Sequence, residues 1–169
     1  MKHIPGHGRA AADSHLELPV VTAGIGELAA SDFATFRTLN DLPAAMTAHV
    51  VFTAVDSRAP ASTSATLTRQ IIRGTIGFDG LLMSDDLSMR ALSGSLRARA
   101  EAVIAAGSDL ALHCNGQLDE MREVAAGVPR LSGRALERFQ RARAAMGRVQ
   151  AFDVAEAEAA LGVVLAKVA

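Results

Sequence analysis

The chain has 169 residues, of which 50% are hydrophobic and 21% are charged, with a formal net charge of −1. This composition is typical of a globular protein with a sizeable core, and the near-neutral balance predicts neither a nucleic acid nor a membrane partner. The single cysteine, Cys114, excludes an intrachain disulfide and fits a reducing compartment. No signal-peptide-like segment and no membrane-length apolar stretch is recognisable, so we expect a cytoplasmic protein.

Apolar runs, polar loops and helical segments alternate along the chain. Ser31 is a candidate N-cap, and Gly107 follows an Ala-rich helical segment as a stop signal. The pattern predicts, in chain order, a loop (1–30), a helix (31–39), a strand (44–52), a loop (57–64), a helix (66–73), a strand (80–84), a helix (96–106), a strand (109–112) and further helices (117–169).

The three predicted strands are apolar throughout, as in parallel sheets covered on both faces. They end in His49, in Asp85 and Asp86, and in His113. Because α/β folds carry their chemistry at the carboxyl ends of the strands, we expect one shared site there. All five histidines lie in loops or at strand ends and none in a predicted helix, which favours the same hypothesis: His3, His7, His15, His49 and His113.

The N-terminal segment carries one candidate proton-transfer pair. Asp13 and His15 lie two residues apart, so in a turn the carboxylate can accept a hydrogen bond from the imidazole and fix its tautomer. Lys2 and His3 offer donors to hydroxyl or carbonyl groups of a ligand. By composition alone, a polar surface loop with incidental histidines explains this segment equally well.

Asp85 is the candidate nucleophile, because a carboxylate at a strand end can attack an acetal carbon. It is also suited to ligate a metal or to cap the following helix. His3 and His7 have a spacing that binds metals on helices, but Pro5 between them excludes a regular helix, so we predict no metal and no cofactor.

Residues 117–169 carry no recognisable chemistry. The arginines between 130 and 148 alternate with apolar residues, which indicates the solvated face of a helix rather than an RNA-binding patch. Only about three strands are predicted, whereas a complete (β/α)8 barrel needs eight in about 250 residues. The sheet is therefore either small and open or a piece of something larger.

Five sequence strings together resemble glycoside hydrolase family 3, in particular its cytoplasmic β-N-acetylglucosaminidases of bacterial peptidoglycan recycling: KHIPGHG, DSH, MTAHVVF, GFDGLLMSDDLSM and AGSDLALHCNG. Ile4 replaces the family's usual Phe. The resemblance implies an α/β fold, namely the C-terminal portion of a (β/α)8 TIM barrel. It implies a single partial domain, with catalytic loops and strands in 1–116 and C-terminal helices in 117–169.

The resemblance also implies a role for each candidate residue. Asp85 corresponds to the catalytic nucleophile, His15 with Asp13 to the general acid/base, and Lys2 and His3 to positions that hold N-acetylglucosamine. The implied reaction is retaining exo-hydrolysis of terminal β-linked N-acetylglucosamine from muropeptides through a covalent glycosyl-aspartate, without a metal.

Family members are roughly twice this length, and the resemblance begins after their fifth strand. The remaining half supplies an Asp and Arg residues that bind the sugar. We therefore expect this chain to need a separate N-terminal barrel half or to self-associate. The alternative is a truncated non-catalytic fragment, or a binding or assembly partner.

Overall fold

Strands and helices alternate along most of the chain in a computed structural model, which describes residues 1–147 and 153–167. The elements are β1 Val20–Val21, α1 Ile25–Ala30, α2 Asp32–Arg37, β2 Ala44–Met46, β3 Val51–Phe52, α3 Ala65–Leu67 continued by a π-helical segment Thr68–Thr75, β4 Leu81–Asp86, α4 Leu96–Ala105, β5 Leu110–Leu112, α5 Leu118–Ala126, α6 Gly133–Met146 and α7 Val154–Leu165.

The strands of the described residues form two sheets in which every paired strand is parallel. β1 pairs with β3, and the other sheet has the order β2-β4-β5. In the second sheet Ala44 lies opposite Leu81 and Met83 lies opposite Leu110. This arrangement confirms the predicted α/β class. Within the described residues the strands do not close into a barrel.

Two predicted segments are wrong in part. The predicted strand 44–52 is divided into β2 and β3, which belong to different sheets. The connecting residues cross between the sheets, where the Thr47 N–H donates to the Met83 carbonyl and the Ala48 N–H donates to the Ile4 carbonyl. The predicted loop 1–30 contains β1 and α1, which are too short to produce a periodic pattern and depend on tertiary contacts.

The other predicted elements are close to those observed. The helix predicted over 66–73 is largely π-helical, and β4 extends through Asp85 and Asp86 instead of ending before them. The Ser95 hydroxyl caps α4 by accepting from the Ala98 N–H, and Gly107 follows that helix with a φ of 104°, as a stop signal requires. Most of residues 117–167 that the structure describes are helical, as predicted.

In the part of the chain that the structure describes, two groups of buried side chains form the core. The larger one includes Leu28, Phe33, Phe52 and Ile72, and it lies around β1, β3 and the π-helical segment. The second packs α4 against α5 and includes Val103. In contrast, α7 has no buried residue. No helix in the described part of the chain combines the length and apolarity needed to cross a bilayer.

The arginines of α6 are not simply a solvated face. Arg138 is mostly buried and donates to both Asp79 and Asp109, at 2.7 and 3.0 Å, while Arg134 and Arg141 also reach Asp79. Asp79 lies two residues before β4 and Asp109 directly before β5, so these ion pairs dock α6 on the amino ends of the strands. Arg148 lies outside the described residues.

Candidate active site

An open cleft of about 660 Å³ lies at the carboxyl ends of β2, β4 and β5. All five residues predicted for the site line this one cleft: Lys2, His3, Asp13, His15 and Asp85. The structure therefore brings together a strand end and an N-terminal loop that are about 70 residues apart in sequence. A shared cleft is a necessary condition for the predicted chemistry.

Asp85 is the penultimate residue of β4 and is only 7% exposed. Its Oδ1 accepts a hydrogen bond of 2.9 Å from the Asp86 N–H, and its Oδ2 lies 3.5 Å from His3 Nε2. No helix starts directly after Asp85, and α4 is capped by Ser95, so the helix-capping alternative is wrong. One carboxylate oxygen of Asp85 is thus held by a backbone N–H, while the other lies near the His3 ring.

His3 reaches the cleft because residues 1–4 run parallel to β2. The Ile4 N–H donates to the Met46 carbonyl, and the Met46 N–H donates to the Met1 carbonyl. Burial lowers the pKa of His3 below its ordinary value, and the negative charge of Asp85 opposes this shift only in part. A largely neutral imidazole therefore lies beside the Asp85 carboxylate at neutral pH.

The predicted hydrogen bond between Asp13 and His15 is confirmed. His15 Nδ1 lies 2.8 Å from Asp13 Oδ1, and the His15 backbone N–H donates to the same oxygen at 2.9 Å. Both hydrogen bonds lower the pKa of Asp13. Because a carboxylate only accepts, Nδ1 carries the hydrogen and Nε2 is free to exchange a proton. The His15 side chain is 74% exposed and lines the cleft.

The loop around this pair is anchored by contacts that the sequence did not reveal. Ser14, buried between Asp13 and His15, forms a hydrogen bond of 3.0 Å with His7 Nε2. On the other side, the Arg90 N–H donates to the His15 carbonyl at 3.4 Å. These contacts link the loop both to the N-terminal segment and to the turn after β4. Only the position of Ser14 inside the DSH string could have pointed to them.

Asp86 lines the same cleft as Asp85. Its carboxylate accepts from the Ser88 hydroxyl and backbone N–H, at 2.6 and 3.1 Å. Burial alone would raise the pKa of Asp86, but the hydrogen bonds from Ser88 and Cys114 outweigh it and the pKa is lowered. His113 Nδ1 lies 3.6 Å from Oδ1 of the same carboxylate, beyond hydrogen-bond distance.

Only three of the five histidines that were expected to share one site line the cleft. His3, His7 and His15 line the cleft. His49 and His113 lie behind it, where His49 Nε2 is 3.1 Å from the Asp86 carbonyl oxygen. Among residues 1–147 and 153–167, no three His, Cys, Asp or Glu side chains are grouped so as to hold a metal ion.

Comparison with known proteins identifies a family for this chain. Residues 1–151 match the family described as the glycosyl hydrolase family 3 N terminal domain. The β-hexosaminidase of Bordetella avium (strain 197N) is 45% identical over 118 residues, which cover 68% of this chain and 33% of that protein. The β-hexosaminidase of Pseudomonas aeruginosa (strain LESB58) is 41% identical over 145 residues, which cover 84% of this chain and 43% of that protein.

Solved structures show the same likeness. A family 3 β-N-acetylglucosaminidase from Paenibacillus sp. str. FPU-7 superposes with a TM-score of 0.74 at 30% identity, covering 90% of this chain and 32% of that one. NagZ from Neisseria gonorrhoeae, in complex with N-trifluoroacetyl-D-glucosamine, has a TM-score of 0.72 at 39% identity, covering 83% and 42%. This chain thus spans less than half the length of each of these four relatives.

Proposed function

Because the chain belongs to glycosyl hydrolase family 3, we propose that it supplies the nucleophile and the proton-transfer pair of a retaining β-N-acetylhexosaminidase. The observation that carries the proposal is that the Asp85 carboxylate and the Asp13–His15 pair line one open cleft. Relatives named β-hexosaminidase, and a NagZ complex with an N-acylated glucosamine analogue, support a terminal β-linked N-acetylglucosamine as the substrate unit.

In the first step, Asp85 attacks the anomeric carbon while protonated His15 donates from Nε2 to the departing oxygen. The glycosidic bond breaks, and an ester bond forms between the sugar and Asp85. In the second step, neutral His15 takes a proton from water, which attacks the anomeric carbon and releases Asp85. The anomeric configuration is retained because the carbon is inverted twice.

The geometry of the acid/base pair suits both steps. Asp13 holds His15 by Nδ1, so the ring keeps one tautomer and presents Nε2 for proton exchange. An imidazole in this position avoids the like-charge repulsion that a second carboxylate would have with Asp85. Lys2 and His3, on the same cleft wall, are the proposed donors to the hydroxyl and N-acetyl groups of the sugar.

We extend the proposal to the biological substrate and location. The family resemblance favours muropeptides, the N-acetylglucosamine-containing fragments of peptidoglycan, as the substrate, and the cytoplasm as the location. The proposal includes no cofactor, no nucleic acid and no membrane partner.

A second candidate role follows from the fraction of its relatives' length that the chain covers. It spans 33–43% of the two β-hexosaminidases above, and its strands leave the sheet open within the described residues. Open strand edges favour pairing with another chain. We therefore propose that the remaining barrel half acts as a partner supplying further sugar-binding groups; a non-catalytic assembly module is the alternative role.

The test is hydrolysis of a chromogenic β-N-acetylglucosaminide by the purified chain, alone and mixed with the unmatched part of the Bordetella avium β-hexosaminidase. We expect hydrolysis in the mixture that is unaffected by a chelator, and none with the Asp85→Asn variant. If the wild-type chain hydrolyses the substrate no faster than Asp85→Asn, both alone and in the mixture, the catalytic proposal is contradicted and the assembly module is favoured. Loss of activity with chelator would favour a metal-dependent mechanism instead.

A further inference from the structure

His49 is a fully buried histidine that the proposed reaction does not use. It lies between β2 and β3, at the crossing from one sheet to the other. Its Nδ1 is 2.7 Å from the Ser62 hydroxyl oxygen, and its Nε2 is 3.1 Å from the Asp86 carbonyl oxygen. The ring therefore bridges two segments that are distant from it in sequence, the loop before α3 and the end of β4.

The partners of His49 determine its tautomer. A backbone carbonyl only accepts, so Nε2 must carry the hydrogen that it donates to Asp86. Nδ1 then accepts from the Ser62 hydroxyl. Burial lowers the pKa of His49, which keeps the ring neutral. Ser62 is itself fully buried and fixed by its backbone N–H on the Ala48 carbonyl, so this serine–histidine pair has no access to a substrate.

Asp86 connects His49 to the proposed nucleophile. The Asp86 N–H donates to Asp85 Oδ1, and the Asp86 carbonyl accepts from His49. The backbone N–H of Asp86 thus holds the Asp85 carboxylate, while the backbone carbonyl of Asp86 is held by the buried His49 imidazole. A shift of the Asp86 backbone would move the donor that orients Asp85.

We propose that His49 is a positioning residue, which orients the Asp85 carboxylate through Asp86. The inference rests on the proposed role of Asp85. The competing explanation is that His49 only fills the core, because a buried polar ring must satisfy its hydrogen bonds wherever it lies. The two explanations differ in whether losing the donor to Asp86 changes the surroundings of Asp85.

Three variants separate these explanations. His49→Leu fills the space without a donor, whereas His49→Gln offers an amide N–H near the position of Nε2. Val50→Ala, at the adjacent fully buried position, is the matched control for disturbed packing. The readouts are the proton position on the His49 ring, from long-range proton–nitrogen NMR, and the Cγ chemical shift of Asp85.

We expect the wild-type ring to carry its proton on Nε2. The Asp85 signal should be displaced in His49→Leu and close to wild type in His49→Gln and Val50→Ala. Where hydrolysis is measurable, kcat of His49→Leu should fall by about tenfold to a hundredfold with a much smaller change in KM, and His49→Gln should recover most of it.

A wild-type proton on Nδ1, or an Asp85 signal unchanged in folded His49→Leu, would overturn the proposal, and so would equal displacement in Val50→Ala. If His49→Leu does not fold, the wild-type tautomer and the Asp85 signal of His49→Gln decide between the two explanations. Both NMR readouts need no turnover, so an absence of hydrolysis contradicts the proposed function without contradicting this inference.

Discussion

At the scale of single residues, the proposed acid/base is defined by orientation more than by burial. His15 is largely exposed, yet two hydrogen bonds to Asp13 and the anchored neighbour Ser14 fix its position. The proposed nucleophile is the opposite case, because Asp85 is almost buried and held through the backbone of Asp86. These differences predict different consequences of substitution.

His15→Ala is expected to lower kcat by about 10²–10⁴-fold, the usual contribution of general acid–base catalysis. The melting temperature should be nearly unchanged, because the side chain is exposed. Leu16→Ala, at the next and similarly exposed position, is the matched control and should leave both quantities unchanged. Steady-state kinetics and thermal unfolding provide the measurement; full activity of His15→Ala would contradict the proposed role.

Stability should depend on pH through His49. Burial, together with the charge of Arg99, lowers its pKa from 6.5 against the opposing Asp86 carbonyl and the charges of Asp85 and Asp86. As the pH falls below about 6.5, the unfolded chain binds a proton here that the folded chain does not, so the free energy of unfolding decreases. His3, whose pKa is also lowered, acts in the same direction.

Denaturant unfolding of wild type and His49→Gln at pH 7.5 and pH 5.5 tests this dependence. The wild type should lose more stability between the two values than the variant, because the variant lacks the titrating group. An equal loss in both proteins would show that His49 is not the source.

At the scale of elements, the ion pairs of α6 decide how the outer layer meets the sheet. Asp109 is 5% exposed and accepts from Arg73, from Arg138 and from the Leu82 N–H, at 2.9–3.0 Å. Three arginines of α6 reach Asp79, and hydrogen bonds from Arg138 and Arg141 lower its pKa to about 2 despite some desolvation. The starts of β4 and β5 are thus bound to one helix.

Asp109→Asn is expected to destabilise the fold by about 3–5 kcal/mol, because it removes the anionic partner of the mostly buried Arg73 guanidinium and one of the two anionic partners of Arg138. Asp119→Asn is the matched control: its side chain is 95% exposed and pairs with Arg122 on the surface, where an ion pair contributes about 0–1 kcal/mol. Denaturant unfolding of both variants measures the difference. Comparable losses would mean that the Asp109 pairs do not anchor α6.

At the scale of the whole molecule, the described strands form an incomplete parallel sheet, and the chain spans less than half of its relatives. The likeness to solved family 3 structures confirms the predicted partial barrel. The division into catalytic loops and strands over 1–116 and C-terminal helices over 117–169 stays a prediction. Two features favour association, namely the open edges and the exposed apolar residues of α7, among them Leu161 and Val164.

We expect the purified chain to self-associate and to become a defined heterodimer when the remaining barrel half is added. Analytical ultracentrifugation measures both states. The double variant Leu161→Glu and Val164→Glu should keep heterodimer formation, because α7 lies beyond the part of the chain that matches the family. Loss of the heterodimer in this variant would assign association to α7 instead of the strand edges.

The sequence by itself determined the class of fold and the candidate residues. Apolar runs ending in Asp85 and His113 indicated parallel strands, because strands buried on both faces have no polar alternation. The strings around Lys2, His15 and Asp85 indicated the family, since each string is a short run of consecutive residues. Such features depend on neighbouring residues and are therefore readable along the chain.

The tertiary structure decided what depends on distant segments. It divided residues 44–52 between two sheets. It also joined residues that are far apart in sequence, by the hydrogen bond of His49 to Asp86 and by the ion pair of Arg138 with Asp109. A two-residue strand such as β1 has no periodicity of its own and exists because β3 pairs with it. These features have no local signature, since their free energy arises from burial and pairing that only the folded chain provides.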